Sequence, residues 1–201
     1  MHVAVVVLAA GEGRRMGGPK ALLPIQGTTF LAHLCGVFAR AGLDLVVAVL
    51  GAEAERVRQE ASIPDGVTVV VNEDWRSGML SSMCRGLDAA ETLGAEAVLV
   101  HPVDHPVVEP STIAAVGSAL LGGAAIAVPT CAGRRGHPAG FAASMFDAIR
   151  QAPPEVGARA VLAANAGRIV HVPGGPGCLV GVDMREDLER LPGLPTPAAG
   201  S

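Results

Sequence analysis

The sequence of 201 residues has the length of one α/β domain, since single domains commonly run to ~100–200 residues. A formal charge of −4, a pI near 5.8 and 2% aromatic residues argue against a nucleic-acid surface, which needs a basic face or stacking rings. Although the mean hydropathy is +0.43, Gly, Pro or charged residues interrupt the apolar runs well short of the about 20 residues that cross a bilayer. We therefore expect a protein that binds neither nucleic acid nor membrane.

Two features of the sequence indicate the cellular compartment of the protein, namely its apolar start and its cysteines. Residues 3–10 follow no basic region and precede no credible cleavage site, so they predict a first strand rather than a signal peptide. The cysteines are too scattered for a zinc ribbon or a thioredoxin-type pair; they are Cys35, Cys84, Cys131 and Cys178. Both observations favour a cytoplasmic protein with reduced thiols.

Short Val-rich runs alternate with helical patterns through the first half of the chain. The runs at residues 3–8, 45–50, 67–71 and 97–100 are typical of parallel strands that are buried on both faces. Helices are predicted between them, at residues 28–41, 53–61 and 81–93. This alternation predicts an α/β fold, a three-layer α/β/α sandwich around a doubly wound, mostly parallel, Rossmann-like sheet.

The alternation becomes less regular after Pro110. The patterns predict helices at residues 111–121, 144–151, 158–164 and 185–191, and strands at 124–129, 168–172 and 179–182. The turn-rich segment 132–140 fits either a β-hairpin or an edge strand. Residues 192–201 are rich in Pro, Gly and Ala and lack periodicity, so we expect a disordered tail after a single domain over residues 1–191.

A glycine-rich loop follows the first predicted strand, with the sequence L-A-A-G-E-G-R-R-M-G-G-P-K over residues 8–20. Its glycines let backbone N–H groups approach phosphate oxygens, and Arg15 and Lys20 can neutralise their charge. The loop is not a dinucleotide fingerprint, because Met16 stands where the last glycine is needed, and it is not a P-loop, because Ala21 follows the lysine. It predicts an anion-binding loop of another type, with a flexible, solvated turn as the alternative.

Two aspartates follow apolar runs and are candidate metal ligands. Asp104 ends a hydrophobic run in H-P-V-D-H-P, where a fixed carboxylate can hold Mg²⁺ or cap a turn. Asp183 follows a second, shorter run and is either a second metal ligand or the N-cap of the last helix. Two carboxylates that meet at the carboxyl edge of the sheet would form a metal clamp beside the glycine-rich loop.

Two further loops carry polar groups. The segment 72–82, N-E-D-W-R-S-G-M-L-S-S, leads into a helix whose free N–H groups and serine hydroxyls can read a base edge, although the serines also suit helix capping. The segment 133–141, G-R-R-G-H-P-A-G-F, holds His137 between Gly and Pro. This histidine is a phosphate donor, a proton carrier or a structural residue, and its role stays open.

The loop at residues 8–20 resembles the L-A-A-G-x-G/S-x-R-M-G-x-x-K signature of nucleotidyltransferases with a GT-A-like fold. Within that group the chain is most similar to the molybdenum cofactor cytidylyltransferases of the MobA-like NTP transferases, over residues 3–190. Further matches are the D-x-P motif at Asp104, the G-M-x-x-S loop at 78–82, the G-x-x-G-H-P-x-x-F loop and the G-x-R segment at 157–159. The D-T-P-E-D-L motif at 183–188 departs from the family at Met184 and Arg185.

The resemblance implies a Mg²⁺-dependent enzyme that transfers CMP from CTP to a phosphorylated small molecule and releases pyrophosphate. It assigns catalysis to Arg15, Lys20 and Asp104 and the metal to Asp104 and Asp183. The residues implied to bind the nucleotide are Leu8, Ala9, Ala10, Gly11, Gly13, Lys20, Gly78, Met79 and Ser82. The resemblance also places His137 and Arg159 on the acceptor side.

Fewer residues indicate the identity of the two substrates than indicate the class of reaction. Ala10 favours CTP, because the related guanylyltransferases carry Leu-Ala-Gly-Gly. The acceptor implied by the family is molybdopterin, with a transient contact to a molybdoenzyme or a maturation factor. The alternatives are a sugar- or polyol-phosphate cytidylyl- or uridylyltransferase, a guanylyltransferase of the same fold, and a non-catalytic protein that binds a nucleotide or the cofactor.

Overall fold

A computed structural model describes residues 2–191, and the tail predicted over residues 192–201 lies outside them. The strands of the described residues are β1 (Val3–Ala9), β2 (Pro24–Ile25), β3 (Thr28–Thr29), β4 (Val46–Leu50), β5 (Thr68–Val71), β6 (Ala97–Pro102), β7 (Ile126–Cys131), β8 (Arg134–Arg135), β9 (Ala139–Ala142) and β10 (Ile169–Pro173). The helices are α1 (Phe30–Arg40), α2 (Ala54–Glu60), α3 (Met79–Thr92), α4 (Pro110–Leu121), α5 (Phe146–Arg150), α6 (Ala158–Ala164) and α7 (Arg185–Glu189). Among these helices none has the length and hydropathy needed to cross a bilayer.

One large sheet forms the middle layer. Its strand order is β10-β7-β9-β6-β1-β4-β5, with β8 paired to the end of β7. Neighbouring strands along this order are parallel except at β9, which runs antiparallel to both β6 and β7. Helices cover both faces, so the structure confirms the predicted α/β fold with its doubly wound, mostly parallel sheet.

The sheet separates two hydrophobic cores because successive side chains of a strand point to opposite faces. In β1, Val5 and Val7 pack with α1 and α4, whereas Val6 and Leu8 pack with α3 and α5. Every residue of β1 is buried, which explains why its sequence is continuously apolar. Gly86 of α3 lets that helix approach the sheet closely, since a Cβ there would lie 2.2 Å from the Val6 side chain.

Most predicted elements are present with bounds that differ by one or two residues, and two of the differences have a clear physical reason. Residues 179–182 are not a strand: they follow a 3₁₀ turn (Pro176–Leu179), and the N–H of Val182 donates to the carbonyl of Asp104 (2.8 Å). The prolines and glycines just before this segment favour turns over a strand. The helix predicted from residue 28 begins at Phe30, because Thr29 caps it and pairs in β3.

The hairpin predicted as one alternative for the turn-rich segment after β7 is confirmed, and the edge strand is wrong. The segment forms a hairpin with β8 and then returns as β9, which is inserted between β6 and β7 rather than lying at an edge. Gly140 makes this possible, since a Cβ there would lie 2.7 Å from a methyl group of Val116 in α4. On the other side of β6, direct parallel pairing with β1 brings the ends of both strands side by side at the carboxyl edge of the sheet.

Candidate active site

The glycine-rich loop leaves β1 as a tightly folded turn. Gly13 has φ 62°, and a Cβ there would lie 1.9 Å from the carbonyl oxygen of Gly18, so a larger residue does not fit. The Gly13 carbonyl accepts hydrogen bonds from the N–H groups of Met16 (2.8 Å) and Gly18 (3.3 Å). A Cβ at Gly11 would meet no atom of the described residues within 4 Å, so this part of the loop faces open space.

Lys20, at the end of the loop, lies between two carboxylates. Its Nζ donates to Asp104 Oδ2 (2.8 Å) and to Asp183 Oδ1 (2.7 Å). Asp104 lies in the turn after β6, and the hydrogen bond from Val182 to its carbonyl attaches the segment that carries Asp183. Because one nitrogen contacts both oxygens, the two carboxylates form one cluster with Lys20 although they are far apart in sequence.

The electrostatics of this cluster favour the charged forms. Burial alone would lower the pKa of Lys20, but the hydrogen bonds and charges of Asp104 and Asp183 outweigh it, and the pKa lies above its ordinary value. The hydrogen bond from Lys20 and then its charge hold the pKa of Asp183 below its usual range, with a smaller contribution from Arg15. Lys20 and Asp183 are therefore both ionised near neutral pH.

The N-cap role considered for Asp183 is wrong. The N-cap of α7 is Met184, and the carboxylate of Asp187 accepts hydrogen bonds from the N–H groups of Asp183 and Met184 (2.9 Å each). The Asp183 side chain is left to bind Lys20. Because Asp187 holds the backbone N–H groups of Asp183 and Met184, it fixes the backbone position from which the Asp183 carboxylate extends into the site.

An open cleft of about 260 Å³ lies next to the cluster. The residues that line it are Leu8, Ala10, Gly11, Gly13, Lys20, Trp75, Gly78, Met79, Ser82, Pro102, Val103 and Asp104. Each residue predicted to bind the nucleotide is among them except Ala9. The Ala9 side chain is 3% exposed and packs into the core beneath α1, because it alternates with Leu8 and Ala10.

Arg15 does not line the cleft. Its side chain is exposed, with Nη1 4.0 Å from the sulfur of Met184. Asp183 also lies outside the lining of the cleft, whereas Lys20 and Asp104 form part of its wall.

The start of α3 forms the opposite wall of the cleft. The side-chain amide of Asn72 donates to the hydroxyls of Ser81 and Ser82 (2.9 Å each), and the Ser81 hydroxyl is 2.8 Å from the Gly78 carbonyl. Gly78 is the N-cap and provides no side chain, so helix capping by the serines is wrong. The first N–H groups of α3 lack a side-chain cap and point toward the cleft end of the helix.

Trp75 lines the cleft but was not predicted as a site residue. A Cβ at Gly51 would lie 2.7 Å from the Trp75 Cβ and 2.8 Å from the Ala10 Cβ, so Gly51 lets these two residues meet. The guanidinium of Arg76 lies over the indole ring, 4.3 Å from its centroid. The composition of the sequence could have indicated Trp75 as a site residue, because it is the one tryptophan of a sequence with 2% aromatic residues.

Three histidines pack beside the carboxylates. The ring centroids of His105 and His137 are 4.5 Å apart, and each lies 6.4 Å from that of His101. Burial is the main cause that lowers their pKa values, to about 3 for His101 and about 4 for His137. His137 is therefore neutral near pH 7. The charge of Arg159 makes a smaller contribution that also lowers the pKa of His137.

We expect acid to destabilise the protein through the buried histidines. In the unfolded chain a histidine binds a proton at about pH 6.5, whereas folded His101 and His137 stay neutral down to pH values of about 3 and about 4. In that window the unfolded state binds more protons than the folded state. Each of the two histidines therefore lowers the free energy of unfolding by roughly 1.4 kcal/mol for each unit by which the pH decreases. Urea unfolding at pH 7, 6 and 5 measures this slope.

The control separates these rings from histidines in general. His137→Gln removes one buried ring and is expected to reduce the slope, whereas the exposed His171, changed to Gln, is expected to leave it intact. Equal slopes in the His137 variant and the wild type would contradict the assignment.

The doubly wound sheet, with a glycine-rich loop and a lysine–carboxylate cluster at its carboxyl edge, defines a protein of the nucleotidyltransferase fold. A family model described as the MobA-like NTP transferase domain matches residues 5–169, and the chain belongs to this family.

Two curated relatives of this chain are named for different activities. The chain is 43% identical over 112 residues to nicotine blue oxidoreductase of Paenarthrobacter nicotinovorans, over 55% of this chain and 53% of that protein. It is 35% identical over 136 residues to 2-C-methyl-D-erythritol 4-phosphate cytidylyltransferase of Cereibacter sphaeroides, over 64% of this chain and 59% of the relative. The matches thus span little more than half the length of these relatives.

The likeness to solved structures extends over nearly the whole chain. Rv0371c of Mycobacterium tuberculosis H37Rv is 30% identical, with a TM-score of 0.79 and coverage of 94% of this chain and 96% of that one. A structure of the same protein in complex with manganese has 29% identity, a TM-score of 0.75 and coverage of 94% and 97%. Both matches support the fold described above.

Proposed function

We propose that the protein is a metal-dependent nucleotidyltransferase that transfers CMP from CTP to a phosphorylated small molecule. The observation that carries the proposal is the contact of Lys20 with both Asp104 and Asp183 at the edge of the cleft. A lysine between two carboxylates beside a glycine-rich loop suits the binding of a triphosphate with its metal ion. Membership of the MobA-like NTP transferase family supports the class of reaction.

The donor set fits Mg²⁺, which is commonly held by one or two carboxylates together with substrate phosphates and water. Asp104 and Asp183 would supply the protein ligands, and their oxygens already converge on the cationic Nζ of Lys20. Among residues 2–191, no group of three or more His, Cys, Asp or Glu is arranged as a metal site of its own. When bound, the ion supplies positive charge against the phosphate oxygens. The manganese complex of Rv0371c supports a divalent ion in this fold.

The chain's own groups would bind and orient the two substrates. The N–H groups of the glycine-rich loop, with Lys20 and Arg15, would bind the triphosphate, and the start of α3 would contact the base. An oxygen of the acceptor phosphate attacks the α-phosphorus in line as the bond to pyrophosphate breaks. Lys20 stabilises the negative charge that develops in this step. An acceptor phosphate is anionic near neutral pH, so the reaction needs no strong general base.

The acceptor that we propose is molybdopterin, on the strength of the family resemblance, with His137 and Arg159 on its side of the site. A molybdoenzyme or maturation factor would then receive the product in a transient contact. The likeness to the methylerythritol phosphate cytidylyltransferase favours CTP as donor and makes a polyol phosphate the alternative acceptor. Sugar phosphates belong to the same chemical class and are tested alongside.

A second candidate function follows from the relative with 43% identity, whose name describes an oxidoreductase. The same cleft would then bind a redox cofactor, although its glycine-rich loop lacks the dinucleotide fingerprint. The two functions differ in a measurable product, since a transferase releases pyrophosphate and a reductase consumes a reduced cofactor. A non-catalytic binding protein would show neither activity.

We expect pyrophosphate release to be faster with CTP than with GTP by roughly tenfold in kcat/KM, which corresponds to about 1.4 kcal/mol of discrimination. The expectation rests on Ala10, which lines the cleft with Trp75 and stands where the related guanylyltransferases carry a glycine. The assay uses each triphosphate with molybdopterin, polyol phosphates and sugar phosphates, and Ala10→Gly is expected to reduce the preference. Equal or faster use of GTP would assign the protein to the guanylyltransferases. Oxidation of NADH or NADPH without pyrophosphate release would favour the reductase.

A further inference from the structure

His101 occupies a core position of the central strand β6. On the same face of this strand, Ala97 and Leu99 belong to the hydrophobic core beneath α1. The His101 side chain is fully buried, and its ring meets the edge of Phe38 at a centroid distance of 5.6 Å. A polar ring in such a core costs free energy unless its nitrogen atoms form hydrogen bonds. The bonds that it forms therefore indicate its role.

One nitrogen of His101 makes a specific hydrogen bond. Nε2 lies 2.9 Å from the carbonyl oxygen of His105, and because a carbonyl can only accept, Nε2 carries the proton. Burial keeps the ring neutral near pH 7, so Nδ1 has no proton. Among residues 2–191, Nδ1 has no hydrogen-bond partner. The one hydrogen bond that the described residues provide for this ring is therefore the bond from Nε2 to the backbone of the turn after β6.

That turn carries Asp104. The N–H of His105 donates to the Pro102 carbonyl (3.2 Å), which closes the turn, and the Val182 N–H donates to the Asp104 carbonyl (2.8 Å), which ties the turn to the segment of the second carboxylate. The hydrogen bond from His101 holds the far end of the same turn. The backbone on either side of the Asp104 side chain is therefore fixed from β6 and from the last segment of the chain.

We propose that His101 is a positioning residue for Asp104. Its Nε2–H fixes the turn after β6 so that the Asp104 carboxylate faces Lys20 and Asp183, and it does so through a backbone carbonyl without touching substrate. The inference rests on the proposed function, in which Asp104 is a ligand of the catalytic metal ion. Without the donor, the His105 carbonyl is left unpaired and the turn gains freedom to rotate the carboxylate away from the cluster.

The ring tautomer of the wild-type protein gives a first test. Long-range ¹H–¹⁵N NMR assigns the protonated nitrogen of each histidine, and we expect His101 to carry its proton on Nε2 throughout the range pH 6 to 8. A proton on Nδ1 would overturn the proposal, because the His105 carbonyl would then have no donor. This measurement requires neither turnover nor a variant that folds.

Two variants test the positioning role with Mn²⁺ as the probe. His101→Gln keeps a side-chain N–H donor, whereas His101→Leu fills the core position without one. In the presence of CTP, electron paramagnetic resonance is expected to show roughly tenfold weaker Mn²⁺ binding for the Leu variant and near wild-type binding for the Gln variant. CTP binding and circular dichroism are expected to stay unchanged, and His171→Leu controls for the loss of an exposed histidine.

The outcomes separate the two proposals. Wild-type Mn²⁺ affinity in the Leu variant would overturn the positioning role, and so would equal losses in the Leu and Gln variants, since the shape of the ring would then be what matters. A wild-type protein that binds no Mn²⁺ with CTP would contradict the proposed function and with it the positioning of a metal ligand. The first two results leave the proposed function intact.

Discussion

Lys20→Ala is expected to lower kcat by roughly 10²–10³-fold, equivalent to about 3–4 kcal/mol, while the fold stays intact. The reason is that Nζ contacts both carboxylates and lines the cleft in which the triphosphate would bind. Its ion pair with Asp183 contributes little to stability, because the Asp183 side chain is 61% exposed and pairs at exposed positions are worth ~0–1 kcal/mol. Steady-state kinetics of pyrophosphate release, with thermal unfolding of the same variant, measure both effects.

The matched control comes from the same loop. Arg14→Ala also removes one positive charge, but the Arg14 side chain is 80% exposed and pairs with Glu12 rather than with the cluster. We expect this variant to keep most of the activity. If Lys20→Ala retained near wild-type rates at saturating substrate, the assignment of the loop to triphosphate binding would be wrong.

Lys20 also offers a direct chemical probe, since it is the only lysine in the sequence. Apart from the N-terminal amine, its side chain is the one site that an amine-selective acylating reagent modifies, and mass spectrometry of the peptide that contains Lys20 gives the extent of its labelling. The raised pKa of Lys20 and its low exposure slow the reaction. Bound CTP is expected to slow it further, and labelling that is insensitive to CTP would contradict contact between Lys20 and the phosphates.

The sequence predicts the early strands and the glycine-rich loop because both follow from local rules. β1 and β4 are continuous apolar runs, as strands buried on both faces require. Gly13 adopts a backbone conformation that other residues rarely tolerate, and its neighbours leave no space for a side chain. Both features depend on residues that are adjacent in the sequence, so local patterns can predict them.

The insertion of β9 between β6 and β7 depends on packing between distant segments, so local patterns could not predict it. A run with a glycine in its middle, such as residues 139–142, is a poor candidate for the inside of a sheet, yet Gly140 is needed where α4 comes close. The strand predicted at 179–182 failed for a related reason. Its apolar residues pack against the core without a neighbouring strand to pair with.

The predicted site residues differ in whether local sequence or long-range contacts place them at the cleft. Gly78, Met79 and Ser82 line the cleft because the start of α3 faces the end of β1. The position of Lys20 between both carboxylates arises from long-range contacts that no motif encodes. Ala9 was included because a sequence motif does not distinguish the side chains that alternate between cleft and core.

Asp104→Asn and Asp183→Asn are expected to fold normally and to lose activity, with the larger loss at Asp104. Each substitution removes one charged ligand from a weakly held, largely hydrated ion, so catalysis should fall far more than CTP binding. Asp104 lines the cleft and its side chain is 27% exposed, whereas that of Asp183 is 61% exposed and lies outside the lining. We expect losses in kcat of roughly 10²–10³-fold for Asp104→Asn, in the range of other transition-state contacts.

The dependence on metal concentration distinguishes ligation from a general effect of charge. If the carboxylates bind the ion, both variants need more Mg²⁺ for half-maximal activity, and Mn²⁺ restores part of the rate because it binds more tightly. Asp147→Asn, at a side chain that is 86% exposed, removes the same charge away from the site and should change neither quantity. An unchanged Mg²⁺ requirement in both active-site variants would contradict the clamp. Full activity of Asp183→Asn would leave Asp104 as the protein ligand and limit Asp183 to holding Lys20 in place.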